Sequence, residues 1–220
     1  MFPDPLFRSR FEAGRILAEQ LRPLVADRNP LILALPRGGV PVGFEVAQAL
    51  NADLDVFLVR KLGVPGHEEL AMGAVASGGI RVLNEGIIAD LGISDIAIDH
   101  AIQRELREIA RRETLYRDGR PALDPANRNV VLVDDGLATG ASMLAAVQAL
   151  RPRRPARLVV AVPVAAPEAC RQFREIVDAV VCAATPEPFL AVGVWYKDFA
   201  QTSDAEVREL LERAAHRQVA

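Results

Sequence analysis

Residues 130–143 read VVLVDDGLATGASM. Four apolar residues run into two consecutive carboxylates, Asp134 and Asp135, and a loop with two glycines and two hydroxyl side chains follows. Backbone N–H groups at a helix start have no intrahelical partner and lie at the positive end of the helix dipole, so they suit a phosphate. Gly136 and Gly140 let the backbone close around such a group, and Thr139 and Ser142 add hydroxyl donors. No lysine follows Gly140, so the loop lacks the GxxxxGK[ST] pattern of a nucleoside-triphosphate loop. Two carboxylates would repel a phosphate. They suit two neighbouring hydroxyls, or Mg²⁺ held through oxygen ligands and water. A ribose 5-phosphate offers vicinal hydroxyls at one end and a phosphate at the other. A lone Asp-Asp would read as a pair of helix caps, but the Thr-Gly-x-Ser continuation argues for a site.

The elements that hold this stretch follow from hydropathy. Segments 31–36, 55–60, 129–134, 157–165 and 178–184 are short apolar runs, as expected of strands buried on both faces. Helical patterns at 8–25, 41–50 and 167–175 fall between or before them. Strands alternating with helices predict an α/β fold, an open parallel β-sheet with helices on both faces. Its ligand site is expected at the carboxyl ends of the strands, where Asp134 and Asp135 lie. Residues 63–84 break this rhythm with many glycines and alanines and read as a mobile arm or hairpin. Ser94 then caps a helix to about Tyr116, with Ile98, Ile102, Leu106 and Ile109 as its apolar stripe. Glu108–Arg112 and Glu113–Arg117 are expected as i,i+4 pairs on its wet face.

One domain is expected over 1–220. Its core spans about 26–62 and 128–185, a flexible arm and helical insertion (a hood lobe) spans 63–119, and an aromatic segment and helix span 186–220. The net charge is −3, so no broad basic surface points to nucleic acid. No signal-peptide order or membrane-length apolar run is present, so a cytoplasmic protein without a membrane partner is expected. Cys170 and Cys182 form no metal-ligand spacing and lie in apolar surroundings, so they are expected as buried free thiols.

VVLVDDGLATGAS resembles the phosphoribosyl-diphosphate (PRPP) motif of type I phosphoribosyltransferases: an apolar strand, two acids, three variable residues, Thr-Gly, one variable residue, then Ser or Thr. The wording FLAVGVWYKDF resembles one bacterial branch of that family. Residues 30–200 carry the resemblance. It implies transfer of the 5-phosphoribosyl group from PRPP to a nitrogen of a nucleobase or similar heterocycle, with Mg²⁺ and release of pyrophosphate, as in nucleotide salvage. It implies that Gly136, Leu137, Ala138, Thr139, Gly140, Ala141 and Ser142 hold the 5-phosphate. Asp134 and Asp135 would take the ribose hydroxyls, and Mg²⁺ through hydroxyls or water. Arg37, Gly38 and Gly39, in the turn LPRGG, match the family's pyrophosphate loop, which is often strained. Lys61, with Arg60 second, matches a strand-end cation on pyrophosphate. Arg37, Lys61 and the two acids would be the catalytic set.

By position, His67, Glu68 and Glu69 fall where the family carries a loop that closes over the ligand. Trp195, Tyr196 and Asp198 fall where purine-type members stack on the acceptor base; packing of the last strand is the equal alternative. No orotate, adenine, hypoxanthine or uracil pattern is present. Family members are often dimers, so a homodimer is the expectation. A PRPP-sensing regulatory protein without transferase activity is the second reading. Such relatives carry a helix-turn-helix domain or a basic face, and neither is visible here. A kinase related to PRPP synthesis would need an ATP site, and none is found.

Overall fold

Strands β1 (Pro30–Ala34), β2 (Asp53–Val56), β6 (Asn129–Val133), β7 (Arg157–Val164) and β8 (Ala179–Ala184) pair in parallel in the order β2-β1-β6-β7-β8. The structure, a computed structural model, describes residues 4–25 and 30–216, apart from the side chain of Glu69. The expected core start at residue 26, and residues 217–220 of the expected C-terminal segment, lie outside the described residues. Alternate side chains of each central strand enter different cores. Leu31, Leu33, Val130 and Leu132 face one, and Ile32, Ala34, Val131 and Val133 face the other. That two-sided burial is why these strands read as continuous apolar runs.

Helices α1 (Arg10–Val25), α2 (Gly39–Leu50) and α7 (Asp204–His216) cover one face, and α5 (Ala141–Leu150) and α6 (Pro167–Arg174) cover the other. Helix α1 lies very close to α2. A Cβ on Gly14 would stand 2.7 Å from the Val42 carbonyl oxygen. Helix α2 begins at Gly39, two residues before the expected start at 41, so the Arg-Gly-Gly turn feeds directly into it.

The apolar run 55–60 is not one strand. Strand β2 ends at Val56, and β3 (Val59–Val64) belongs to a separate antiparallel sheet with β4 (His67–Ala76) and β5 (Ile80–Leu83), in the order β3-β4-β5. Hydropathy alone reads through the crossover because Phe57 and Leu58 between the strands are buried as well. Segment 63–84 is therefore a hairpin extended by a third strand. Its Val64, Met72 and Val75, with Leu62 just before it, share the core of the α1 face. Helix α3 (Glu85–Asp90) follows, capped by Asn84, and then α4 (Asp95–Arg117), capped by Ser94 as expected.

The end of α4 departs from its predicted wet face. Glu108–Arg112 is the expected partly exposed pair at 2.6 Å. Arg117, which also meets Glu113 at 2.9 Å, is buried. Its Nε donates to Asp55 Oδ1 at 2.9 Å and its Nη2 to the Val56 carbonyl at 2.9 Å. Asp55 also accepts from the Val56 and Leu123 amides. This cluster ties the insertion to the edge of the main sheet. The cysteines also differ from expectation. Cys170 on α6 and Cys182 on β8 form a disulfide, with Cα atoms 6.7 Å apart. Each sits in an apolar environment as read, but the sequence does not reveal that α6 folds back over β8 and brings them together.

Two stability outcomes follow from these contacts. Arg117→Ala leaves the Asp55 carboxylate buried without its cation and is expected to destabilise the protein by about 3–5 kcal/mol in a urea titration. The disulfide spans a sequence separation of 12. Closing a loop of that size contributes about 3 kcal/mol on a chain-entropy account. Mass spectrometry of the protein denatured in iodoacetamide should show no alkylation before reduction and two adducts after it.

Candidate active site

Parallel pairing brings the carboxyl ends of β1 and β6 side by side, with Ala34 opposite Val133. The turn after β1 and the acids after β6 therefore meet. The Leu35 amide donates to the Val133 carbonyl at 2.8 Å, and the Gly39 amide donates back to the Leu35 carbonyl at 3.0 Å. The Pro36–Arg37 peptide is cis. Gly38 lies directly against the Asp135 carboxylate, and a Cβ there would overlap Oδ2. A Cβ on Gly39 would stand 2.8 Å from the Val133 carbonyl oxygen and 2.9 Å from Asp134 Cα. Both glycines are needed for this close approach.

Asp134 accepts the Asp135 amide on Oδ1 at 2.8 Å. Asp135 Oδ2 accepts from Arg10 Nε at 2.8 Å. Burial, and after it the neighbouring Asp135 charge, pushes the Asp134 carboxyl well above the usual carboxylate range. Burial raises Asp135 too, against the lowering effect of Arg10. Arg10 is the residue that sequence reasoning missed. Its signal was an arginine on the buried stripe of α1 with Ala13, Leu17 and Leu21.

The loop after the acids is fixed by Leu137. Its amide donates to the Val164 carbonyl at 2.9 Å, its carbonyl accepts from the Ala166 amide at 2.8 Å, and its side chain is buried. Gly140 takes a left-handed conformation, φ 72°, ahead of α5. A Cβ on it would stand 2.8 Å from Phe173 Cε2, which is a second reason for glycine. Thr139 Oγ1 accepts weakly from the Ala141 amide at 3.5 Å. The Ala138, Thr139, Gly140 and Ser142 amides have no partner among the described residues. Ala138, Thr139, Ala141 and Ser142 are exposed, so this stretch is an accessible row of donors at a helix start.

The other predicted residues are spread around this centre. Arg37 Nη1 lies 3.8 Å from Asp204 Oδ1, the oxygen that also accepts from the Tyr116 hydroxyl at 2.6 Å. Burial, and after it Asp204, pushes the Tyr116 phenol up to about 12. Arg60 and Lys61 point to opposite sides of β3, as neighbours on a strand do. Arg60 Nε donates to Glu105 Oε2 at 2.7 Å. Burial alone would raise the Glu105 carboxyl, but hydrogen bonds from Arg104 and Arg60 outweigh it and hold it below the usual range. Lys61 is exposed and lines a cleft of about 480 Å³ between the second sheet and α5, together with Ser142, Leu83 and Glu85. His67 and Glu68 are exposed at the start of β4, with Glu68 Oε2 3.7 Å from Arg104. Glu69 lies in β4, and its side chain is outside the described residues.

The aromatic segment packs against the acids from the other side. Trp195 is 5% exposed and Tyr196 is 4% exposed. Tyr196 stacks on Phe199 with ring centroids 5.0 Å apart, and its other neighbour is Phe7 at 5.4 Å. Trp195 meets Phe189 at 6.5 Å, and its carbonyl accepts from the Leu6 and Phe7 amides. The Tyr196 hydroxyl donates to the Asp135 carbonyl at 2.6 Å, and its burial pushes the phenol up. These rings are thus occupied by neighbouring side chains, whereas Asp198 is exposed. The described residues hold no cluster of three or more His, Cys, Asp or Glu arranged for a metal ion, and no helix long and apolar enough to cross a membrane.

Known proteins share this architecture. The family model for the phosphoribosyl transferase domain matches residues 8–186. Two Mycobacterium tuberculosis proteins, from strains CDC 1551 / Oshkosh and ATCC 25618 / H37Rv, bear the name "Putative phosphoribosyl transferase". Each is 46% identical over 215 residues, which is 98% of this chain and 48% of the relative. The chain thus spans about half the length of these curated relatives. The crystal structure of TT1426 from Thermus thermophilus is 44% identical, with a TM-score of 0.83 over 94% of this chain and 98% of that one. By sequence and by fold, the chain belongs to the phosphoribosyl transferase domain family.

Proposed function

We propose that this chain transfers the 5-phosphoribosyl group of PRPP to a nitrogen of a nucleobase or similar heterocycle and releases pyrophosphate. One observation carries the reading. The acid pair lies between an exposed row of unpartnered loop amides and a glycine turn in direct contact with it. A phosphate, a diol and a diphosphate on one sugar call for those three surfaces in that order. The loop 136–142 anchors the 5-phosphate and supplies binding energy remote from the reacting carbon. The acids accept from the ribose hydroxyls and stabilise positive charge as the C1′–oxygen bond to diphosphate breaks. The acceptor nitrogen forms the new bond to C1′, and the electron pair leaves with pyrophosphate.

In the turn, the Gly39 amide is committed to Leu35, so Arg37 and Gly38 supply the diphosphate donors in this reading. Arg37 would leave Asp204 to reach the leaving group, and Lys61 would approach from the second sheet. Mg²⁺ would be held beside the acid pair through the ribose hydroxyls or water, and would supply charge neutralisation of the diphosphate. His67 and Glu68, exposed at the start of β4, would shield the ligand in this reading. A screen of bases for pyrophosphate release would assign the acceptor.

Calorimetric titration with PRPP and Mg²⁺ tests the site. Wild type should bind, and Asp134→Asn with Asp135→Asn should weaken binding by about tenfold or more, as expected for lost charge-assisted hydrogen bonds. No binding by wild type would sink the reading. Binding without pyrophosphate release on any nitrogen heterocycle would replace transfer with PRPP sensing. The pH dependence has a definite sign. Asp134 holds its proton to higher pH than an ordinary carboxyl, and only its charged form gives charge-assisted hydrogen bonds to hydroxyls and opposes positive charge at C1′. Affinity should therefore fall as pH drops through a midpoint above the ordinary aspartate value of about 3.9. An affinity that stays flat down to that value would contradict the assignment of Asp134.

A further inference from the structure

Arg10 belongs to no motif, yet its guanidinium is held on three sides. Nε donates to Asp135 Oδ2 at 2.8 Å, Nη1 donates to the Ala200 carbonyl at 2.7 Å, and Cζ stands 3.8 Å from the Phe199 ring centroid. The side chain is only 10% exposed. A guanidinium clamped this way does not travel with a ligand; it fixes the carboxylate that it touches. The same cluster grips Asp135 a second time, through the Tyr196 hydroxyl on its carbonyl oxygen.

The consequence can be followed oxygen by oxygen. Asp135 Oδ2 is committed to Arg10, and Asp134 Oδ1 is committed to the Asp135 amide. Among the described residues, no other side chain donates to Asp134 Oδ2 or Asp135 Oδ1. Each acid thus keeps one oxygen for a ligand. Two adjacent hydroxyls that each donate one hydrogen bond match that count. Without Arg10, the Asp135 side chain could turn away from Asp134 to relieve like-charge repulsion, and the pairing of oxygens would be lost.

We propose that Arg10 is a positioning residue that fixes one oxygen of Asp135, so that the two acids together select a sugar with both vicinal hydroxyls. This rests on the ribose phosphate reading above. The loop amides would still hold the phosphate of a sugar that lacks one hydroxyl, so Arg10 governs discrimination more than retention.

Calorimetry with ribose 5-phosphate and 2-deoxyribose 5-phosphate tests this on wild type, Arg10→Ala, Arg10→Lys, Asp135→Asn and the Arg10→Ala/Asp135→Asn pair. Wild type should prefer the ribose form by about tenfold, the scale of one charge-assisted hydrogen bond. Arg10→Ala should lose most of that preference while still binding both sugars, and Arg10→Lys should recover part of it. In the Asp135→Asn background, truncating Arg10 should change the preference less than about twofold, the mark of coupling between the two residues. Equal weakening of both sugars with the preference intact would make Arg10 merely structural and overturn the proposal. So would a wild type that does not distinguish the sugars.

If Arg10→Ala fails to fold by circular dichroism, Tyr196→Phe and Phe199→Leu loosen the same cluster, and an unchanged preference in both overturns the proposal. If wild type binds neither sugar phosphate, the ribose reading fails, and the Arg10 clamp is read separately. In ¹⁵N NMR its Nε–H should exchange slowly in wild type and rapidly in Asp135→Asn. Rapid exchange in wild type would overturn the clamp itself.

Discussion

Two carboxylates on consecutive residues stand at the mouth of a buried strand, where burial, and for Asp134 the neighbouring Asp135 charge after it, disfavours the charged form. The effect is strong because the acids sit where water is scarce. Arg10 opposes it from α1, the Asp135 amide opposes it locally, and the glycine turn closes the space beside it. The clamp draws on both ends of the described chain. Phe7 and Arg10 come from one end, and Tyr196, Phe199 and Ala200 from the other. A site that reads as one short motif is therefore held by residues separated by 125 and 190 positions in the chain.

A second set of ion pairs binds the insertion to the sheet. Asp55 and Arg117 lock the end of α4 to the edge strand, and Glu105 takes Arg60 and Arg104 under the second sheet. The buried Asp55–Arg117 pair adds little net stability over a well-packed apolar contact, but breaking it is costly. Together these pairs tie α4 both to the edge strand β2 and to β3, the strand that carries Lys61.

The sequence revealed most where the cause was local. The five parallel strands, the Ser94 cap, the acids and the helix-start loop all follow from short-range pattern and spacing. The misread features are non-local. The run 55–60 was divided by a crossover that leaves every residue from Asp55 to Leu58 buried, so hydropathy held no break there. Arg117 matched a wet-face pair by spacing, and only the position of Asp55 on another element draws it inside. The disulfide depends on how α6 lies over β8. Trp195 and Tyr196 stood out by their scarcity in a chain with 5% aromatics, but that scarcity did not say which way their rings face.

Helix α1 touches α2 through Gly14, one turn beyond Arg10, where the Val42 carbonyl leaves no room for a side chain. Arg10 stands on the same buried stripe as that contact, with Ala13, Leu17, Leu21 and Val25 following it along the helix. The spacing between α1 and α2 therefore also sets how far the guanidinium reaches toward Asp135. A methyl group at position 14 would push α1 away from α2 and carry Arg10 with it.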